Sequence, residues 1–562
     1  MEINIITFFL FYFLIIFSTL GYGIFFIKKF ADKNEKFSIG FAGIIGVFFL
    51  VILSISSHIF FNHSFFHNSI ILLFGLFYLF KNIKIYSKNN ILIFILVFVI
   101  LFIAILIKKN HDDFPYYHFP YTYYITEYPL MIGVGQFVHG FRTPSSMFYL
   151  NSIFYLPFVK YYMFNIGALM IMGFANILIF DRIKIYFKKN KFDYLFILNL
   201  LIFSFINIFF YRLGEHGTDR SPQILILLFI LELLYFINYK GIYKQFYPNF
   251  LILLGLIISF KPFYILYLSF SLPVLILIKK YKQKDKLYKI FNLKNNFFIF
   301  FCYLIFLIFS LYLINTGCLV YPVAFTCFEN LSWSIPIDQV KAMNNWYEQW
   351  SKAGAGPNFQ VENRDIYIQN FNWVGNWFEE YFFNKVSDFI LGVILLLFIF
   401  LIIFFTKLKK NKFNKSNIKN KNISLVYLTI LLLFFEWFYN HPSLRYGGYV
   451  LVFLIFSIPF SIFLEKYLVS CNSEMVKKKT TIIFILVLTI FLTRNINRIA
   501  KENSIYEKIS FNSVNYLMDK SYFRVDKQFK SLEKNYFECE NTGIKCESLI
   551  KKEFGIYIFP YK

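Results

Sequence analysis

What this chain lacks narrows it first. Ala, Gly and Arg are few beside Phe, Ile, Lys, Asn and Tyr, a bias of AT-rich coding, so Phe standing for Leu means little and scarce residue types mean more. Acids are scarce as well: 32 Asp and Glu face 57 Lys and Arg, a formal net charge of +25. No basic n-region precedes the first apolar run, which follows "MEIN" directly, and no small-residue cleavage site follows it. That predicts a retained helix rather than a signal peptide. The clustered Cys/His pairs of a structural zinc site are missing, and so is a convincing inverted repeat of the kind transporters carry.

What remains is overwhelmingly apolar. Hydrophobic residues make up 58% of the 562, well above a soluble domain, and they come in long blocks. Runs of about 17–25 such residues cross a hydrocarbon core of about 30 Å. The chain is therefore an all-α polytopic membrane protein with about 12–14 transmembrane helices. Spans are predicted near 5–27, 39–59, 66–81, 91–108, 162–180, 193–211, 221–238, 248–260, 262–278, 297–315, 388–406, 424–439, 447–465 and 479–495. Surplus Lys could suggest nucleic acid as a partner. It sits instead in short loops such as "KNIKIYSKNN" and "KLKKNKFNKSNIKNKN", all on one side of this threading, which fits positive-inside topology; membrane lipids are the partner and nucleic acid is not.

The other side receives everything chemically interesting. All eight histidines and all six tryptophans fall on or near it, so the expected active face is the non-cytoplasmic, periplasmic one of a bacterial inner membrane. The organisation reads as leading helices (1–90), a membrane core (91–315), an insertion loop (316–387), closing helices (388–495) and a tail (496–562).

Four outer stretches carry candidate chemistry. "HDDFPYYHFP" places Asp112 and Asp113 at the mouth of a helix, with His118 close behind. The pair could be solvated or could cap a helix. Alternatively it is a general base or a ligand for a divalent cation (Mg or Mn), because adjacent carboxylates repel unless a cation stands near. Pro115 and Pro120 are expected to break any long helix, and Tyr117, Tyr121, Tyr124 and Tyr128 to lie in the interface plane. "YRLGEHGTDRSP" packs Arg212, Glu215, His216, Asp219 and Arg220 into one turn, either as a solvated salt-bridged loop or as phosphate-gripping arginines beside acids. Lys261 is a lone charge between two apolar runs, at a hairpin turn or within a broken span. "NHPSLRYGGY" offers His441, Arg445 and Tyr446, for substrate contact or for packing of the turn.

The insertion 316–387 reads as an amphipathic helix with a stripe of Ile337, Val340, Met343, Trp346, Tyr347 and Trp350, ended by Gly354, then a second surface helix in "YIQNFNWVGNWFEEYFF". Its aromatics could stack on sugar or anchor at the interface. Cys318 with Cys327, and Cys539 with Cys546, form two even pairs on the oxidising side and predict two disulfides in preference to metal.

Together "HDDFPYYHFP", "GFRTPSSMFYLNSIFYLP", "NTGCLVYPVAFTC" and "NHPSLRYGGY" resemble an uncharacterised bacterial membrane-protein family of GT-C-like glycosyltransferases, over about residues 90–465. The resemblance implies a polyprenyl-phosphate-linked sugar donor and a glycan or lipid acceptor. Asp113 or Asp112 would be the base, Glu215 or Asp219 would orient acceptor or metal, and Arg212, Arg220, Lys261 or Arg445 would take the departing phosphate. His118, His216, His441 and Tyr446 would contact substrate. The acid pair follows the fourth predicted span, whereas in most such enzymes it follows the first. A transporter or flippase, or a glycan polymerase or ligase, is the competing reading.

Overall fold

A computed structural model describes residues 4–31, 37–106, 113–212, 217–239, 246–281, 295–356, 361–405, 422–468, 472–505, 551–553 and 556–561. Among these, eleven helical stretches are long and apolar enough to cross a membrane, and two shorter apolar helices, Tyr194–Phe209 and Phe246–Phe260, stand among them. Every predicted span coincides with a helix, the last being Ser473–Ile505. The strands among the described residues are two three-residue pieces, Lys551–Glu553 and Ile556–Ile558, paired antiparallel.

Local sequence sets the helix ends. Helix α1 is Ile5–Phe30, α2 Ile39–His58, α3 Phe65–Asn82 and α4 Lys88–Ile105. Ser38, Ser64 and Ser87 cap the last three by accepting a backbone N–H in the first turn. Small residues let backbones touch where α1 crosses α2: a Cβ on Gly23 would stand 1.8 Å from the Ala42 carbonyl oxygen. Beyond the short helices α5 (Phe119–Glu127) and α6 (Ser146–Ser152) come α7 (Ile166–Lys189), α8 (Tyr194–Phe209), α9 (Arg220–Asn238) and α10 (Phe246–Phe260). Helices α2, α7 and α9 are buried almost all round and form the centre. By contrast α3, α4, Asn296–Thr316 and Ile423–Asn440 keep apolar faces exposed, as lipid-facing helices do.

Between α7, α9 and α10 a buried polar knot ties three central spans. Arg182 pairs with Glu232, whose second oxygen accepts from Asn249 Nδ2 at 3.0 Å, and the guanidinium lies 4.7 Å from the Tyr235 ring centre. The connections 113–165, 217–219, 317–356, 361–373 and 441–447 lie at one end of the bundle, called here the loop-bearing face.

Three local expectations change. Pro115 and Pro120 do not break the segment: Phe114–His118 is a π-helical turn running straight into α5, and its wider i→i+5 bonding, Phe119 N–H to the Phe114 carbonyl, absorbs the prolines' missing donors. Tyr121, Tyr124 and Tyr128 are buried in protein rather than lying in an interface plane, and Asn315 Nδ2 donates to Tyr121 Oη at 2.9 Å. The expected second surface helix is instead the overhang of a span. Val374–Phe404 runs continuously through a π stretch, Phe378–Val386, because nothing between Trp377 and Ser387 breaks it.

Candidate functional site

Four charged side chains from four separate connections meet on the loop-bearing face. Asp113 opens the π turn, Asp219 directly precedes α9, Lys261 sits at the turn after α10, and Arg445 lies in the 3-10 turn Leu444–Tyr446. Arg445 is the centre: Nη2 reaches Asp113 Oδ2 at 2.7 Å, and Nη2 and Nε both reach Asp219 Oδ2 at 3.1 Å. Lys261 Nζ pairs with the other oxygen of Asp219. Two anions and two cations thus form a compact set of zero formal charge. Their side chains are 18–25% exposed, so they are reachable yet largely desolvated. Burial lowers the Lys261 pKa, against the opposing pull of Asp219.

The scaffold leaves Arg445 little freedom. Trp437 Nε1 donates to the Ser443 carbonyl at 2.8 Å and Trp377 Nε1 to the Pro442 carbonyl at 2.9 Å. The Leu444 N–H donates to Tyr381 Oη at 2.9 Å, and Gln223 Nε2 donates to the Arg445 carbonyl at 2.9 Å. Gly447 follows at φ +103°, where a side chain would be strained. The Lys261 turn is held in the same way, with Ser145 Oγ donating to the Phe260 carbonyl at 2.7 Å. Lys261 is therefore at a hairpin turn: the chain returns through Pro262–Phe270 and α11 (Ser271–Lys280) to the opposite end of the bundle.

Beside the charges lies a cavity of about 410 Å³, walled by Asp219, Lys261, Arg445, Tyr446, Tyr347 and Tyr117 among others, a volume suited to a small ligand. Lys261 Nζ stands 4.6 Å from the Tyr446 ring centre, and the Arg445 guanidinium 5.5 Å from that of Trp350. Trp350 and Tyr347 come from the amphipathic helix Ile337–Lys352, which forms as its apolar stripe predicts. His441 also lines the cavity; its Nδ1 is 3.3 Å from Ser351 Oγ, and burial, then Lys352 and Lys261, lower its pKa to about 4. His118 is buried behind the cavity, with Nε2 3.4 Å from Thr218 Oγ1.

The other nominated residues divide. Arg220 turns away from the cavity, its guanidinium 4.3 Å from the Tyr449 ring centre and 5.1 Å from that of Phe210, because an aromatic-rich helix pair offers it a cation–π seat. Arg212 is exposed and does not line the cavity. Asp112, Glu215 and His216 lie outside the described residues, as do Cys539 and Cys546. Cys318 and Cys327 are disulfide-bonded, as their spacing suggested. For a divalent cation the described donors are a poor fit. Asp113 and Asp219 give oxygens to Arg445 and Lys261, and among the described residues no group of three or more His, Cys, Asp or Glu gathers.

Sequence reasoning missed part of the wall. Tyr321, Tyr117 and Tyr312 line the cavity and Arg142 stands behind Tyr321. Tyrosine is too common here to stand out, at 42 residues. Also unforeseen is a strap. The segment Ile556–Tyr561 docks across the face: Phe559 N–H donates to the Ile132 carbonyl at 2.9 Å, Tyr561 N–H to the Ser332 carbonyl at 2.8 Å, and Gln136 Nε2 to the Phe559 carbonyl at 2.7 Å.

The fold and this site define the class: an all-α polytopic membrane protein with a charge-lined, aromatic-walled cavity on its loop-bearing face. Within that class the chain belongs to the family of the Domain of unknown function (DUF8201), which matches residues 5–454. The match takes in α1–α3 as well as all four charged site residues. No curated protein and no solved structure matches the chain.

Proposed function

We propose that the protein is a membrane glycosyltransferase of GT-C-like type, moving a sugar from a polyprenyl-phosphate-linked donor to a glycan or lipid acceptor on the periplasmic face of a bacterial inner membrane. One observation carries the reading. Asp113, Asp219, Lys261 and Arg445 are far apart in sequence, yet they meet in one ion-paired set, of which Asp219, Lys261 and Arg445 line the cavity and Asp113 is held beside it by Arg445.

The chemistry asks for what that set supplies. An acceptor hydroxyl attacks the anomeric carbon as the bond from that carbon to the phosphate oxygen breaks. The hydroxyl proton passes to a carboxylate and the phosphate leaves with the bonding pair. Asp113 is the base. Arg445 and Lys261 meet the charge developing on the phosphate, exchanging some contact with their acids for contact with the leaving group. Asp219 holds the two cations side by side and is a positioning residue. Aromatic rings at the rim suit a sugar face, and the location at the bundle's end suits a headgroup presented by a lipid.

The test is a mass profile of surface glycans and glycolipids from cells lacking the protein, complemented with wild type or Asp113→Asn at matched membrane levels. A sugar restored by wild type and not by the variant supports transfer and names the sugar. An unchanged glycan profile in the deletion strain, or full rescue by Asp113→Asn, would sink the reading and favour a transporter.

A further inference from the structure

Asp219, Lys261 and Arg445 account for only part of the cavity wall. Another part is neutral and hydrogen-bonding: Thr143, Tyr321, Asn344 and Tyr347 all line it. Tyr321 is 3% exposed, so its hydroxyl is far more costly to leave unpaired than a surface one. Arg142 Nη1 donates to Tyr321 Oη at 3.1 Å. A guanidinium only donates, so this bond occupies a lone pair of the phenol and leaves the phenolic proton to be given elsewhere. Arg142 is itself held by its Nε donating to the Gly135 carbonyl at 3.0 Å, and among the described residues it pairs with no carboxylate. Tyr347 Oη meets His139 Nε2 at 3.0 Å, which fixes that ring too. Among the described residues Thr143 Oγ1 and the Asn344 amide make no side-chain hydrogen bond within the protein.

Pre-oriented neutral donors and acceptors on an aromatic wall do not match an anion, which the quartet already serves. They match a ligand whose polar groups are hydroxyls, each able to donate and to accept. We propose that Tyr321, Thr143, Asn344 and Tyr347 form a carbohydrate subsite joined to the charged set, with Tyr321 donating to a sugar oxygen and Arg142 as the positioning residue that aims it. This rests on the glycosyltransferase reading and names the residues that would select the sugar.

Full-length protein in nanodiscs is dialysed to equilibrium against inorganic phosphate and against the 1-phosphates of glucose, galactose, mannose and N-acetylglucosamine. The expected result is that wild type binds at least one sugar 1-phosphate about tenfold or more tighter than phosphate, as a few net hydrogen bonds would give. Tyr321→Phe, which keeps the ring, should lose most of that gain while holding phosphate within about twofold. Arg142→Lys cannot bridge Gly135 and Tyr321 as a fork does, so it should behave like Tyr321→Phe with an unchanged thermal midpoint. Phosphate bound with no gain from any sugar overturns the subsite and leaves the charged site standing. No binding of either ligand overturns both readings. A full gain in Tyr321→Phe overturns the role of its hydroxyl.

Discussion

Asp219 gives one oxygen to Arg445 and the other to Lys261, so its two partners depend on a single carboxylate. Asp219→Asn leaves both cations near each other with half their compensation. Transfer should fall at least about tenfold, and stability by about 1–2 kcal/mol after allowing for partial exposure. Glycan recovery in complemented cells and thermal midpoints in detergent read the two effects separately. Arg445→Lys should cut activity with a smaller stability loss, since an ammonium cannot span Asp113 and Asp219 as the planar fork does. Titration gives a second residue-scale prediction. Burial lowers both His139 and His441 to about 4 from an ordinary 6.5. Between those values the unfolded chain binds the protons that the folded one refuses, so stability falls as pH drops from about 6.5 towards about 4. His139→Gln and His441→Gln should each flatten the fall of the thermal midpoint across that window. An equally steep fall in the double variant would assign it to other groups.

Among elements, the amphipathic helix Ile337–Lys352 was plain in the sequence because its stripe alone specifies it. So were the spans, whose length and polarity the bilayer dictates. The strap Ile556–Tyr561 was illegible. Its partners lie hundreds of positions away, the Gln136–Phe559 bond spanning 423 residues, and backbone pairing leaves no mark on side-chain pattern. A Cβ on Gly133, whose φ is +85°, would stand 2.4 Å from the Phe559 carbonyl oxygen. Gly133→Val should therefore expel the strap and speed amide exchange in Ser332–Gln339, where Tyr561 Oη meets Gln339 Oε1 at 2.5 Å, without disturbing the spans. Unchanged exchange there would mean that the contact holds nothing in place. The tyrosines of α5 were misjudged because near-helical spacing cannot tell a protein-facing stripe from a lipid-facing one. Nor do the neighbouring residues tell that Pro115 can sit in a π turn and Pro120 in the first turn of α5 without ending the segment.

At the scale of the whole molecule, sidedness was the most informative sequence signal. Scarce acids and cations in the loops opposite the lysine-rich ones pointed to Asp113, Asp219, Lys261 and Arg445 before any contact was known, and all four meet. What sidedness could not give was membership: Arg212 and Arg220 share the same loop as Asp219 but face elsewhere. The cavity draws on residues from 117 to 446, so its wall is shared by the membrane core, the insertion loop and the closing helices. Topology can be checked by labelling one native and one introduced thiol. Cys471, on a lysine-flanked connection, should react with an impermeant maleimide only after permeabilisation, whereas a cysteine at Ser332 should react in intact cells; the reverse pattern would invert the orientation. The neutrality of the charged quartet has one more effect. A site whose cations are already compensated casts almost no field beyond its own walls, so it would not draw anions through water from a distance. Capture should then be nearly blind to ionic strength, and a ligand already travelling in the plane of the lipid would hold the advantage over one that must be pulled out of solution.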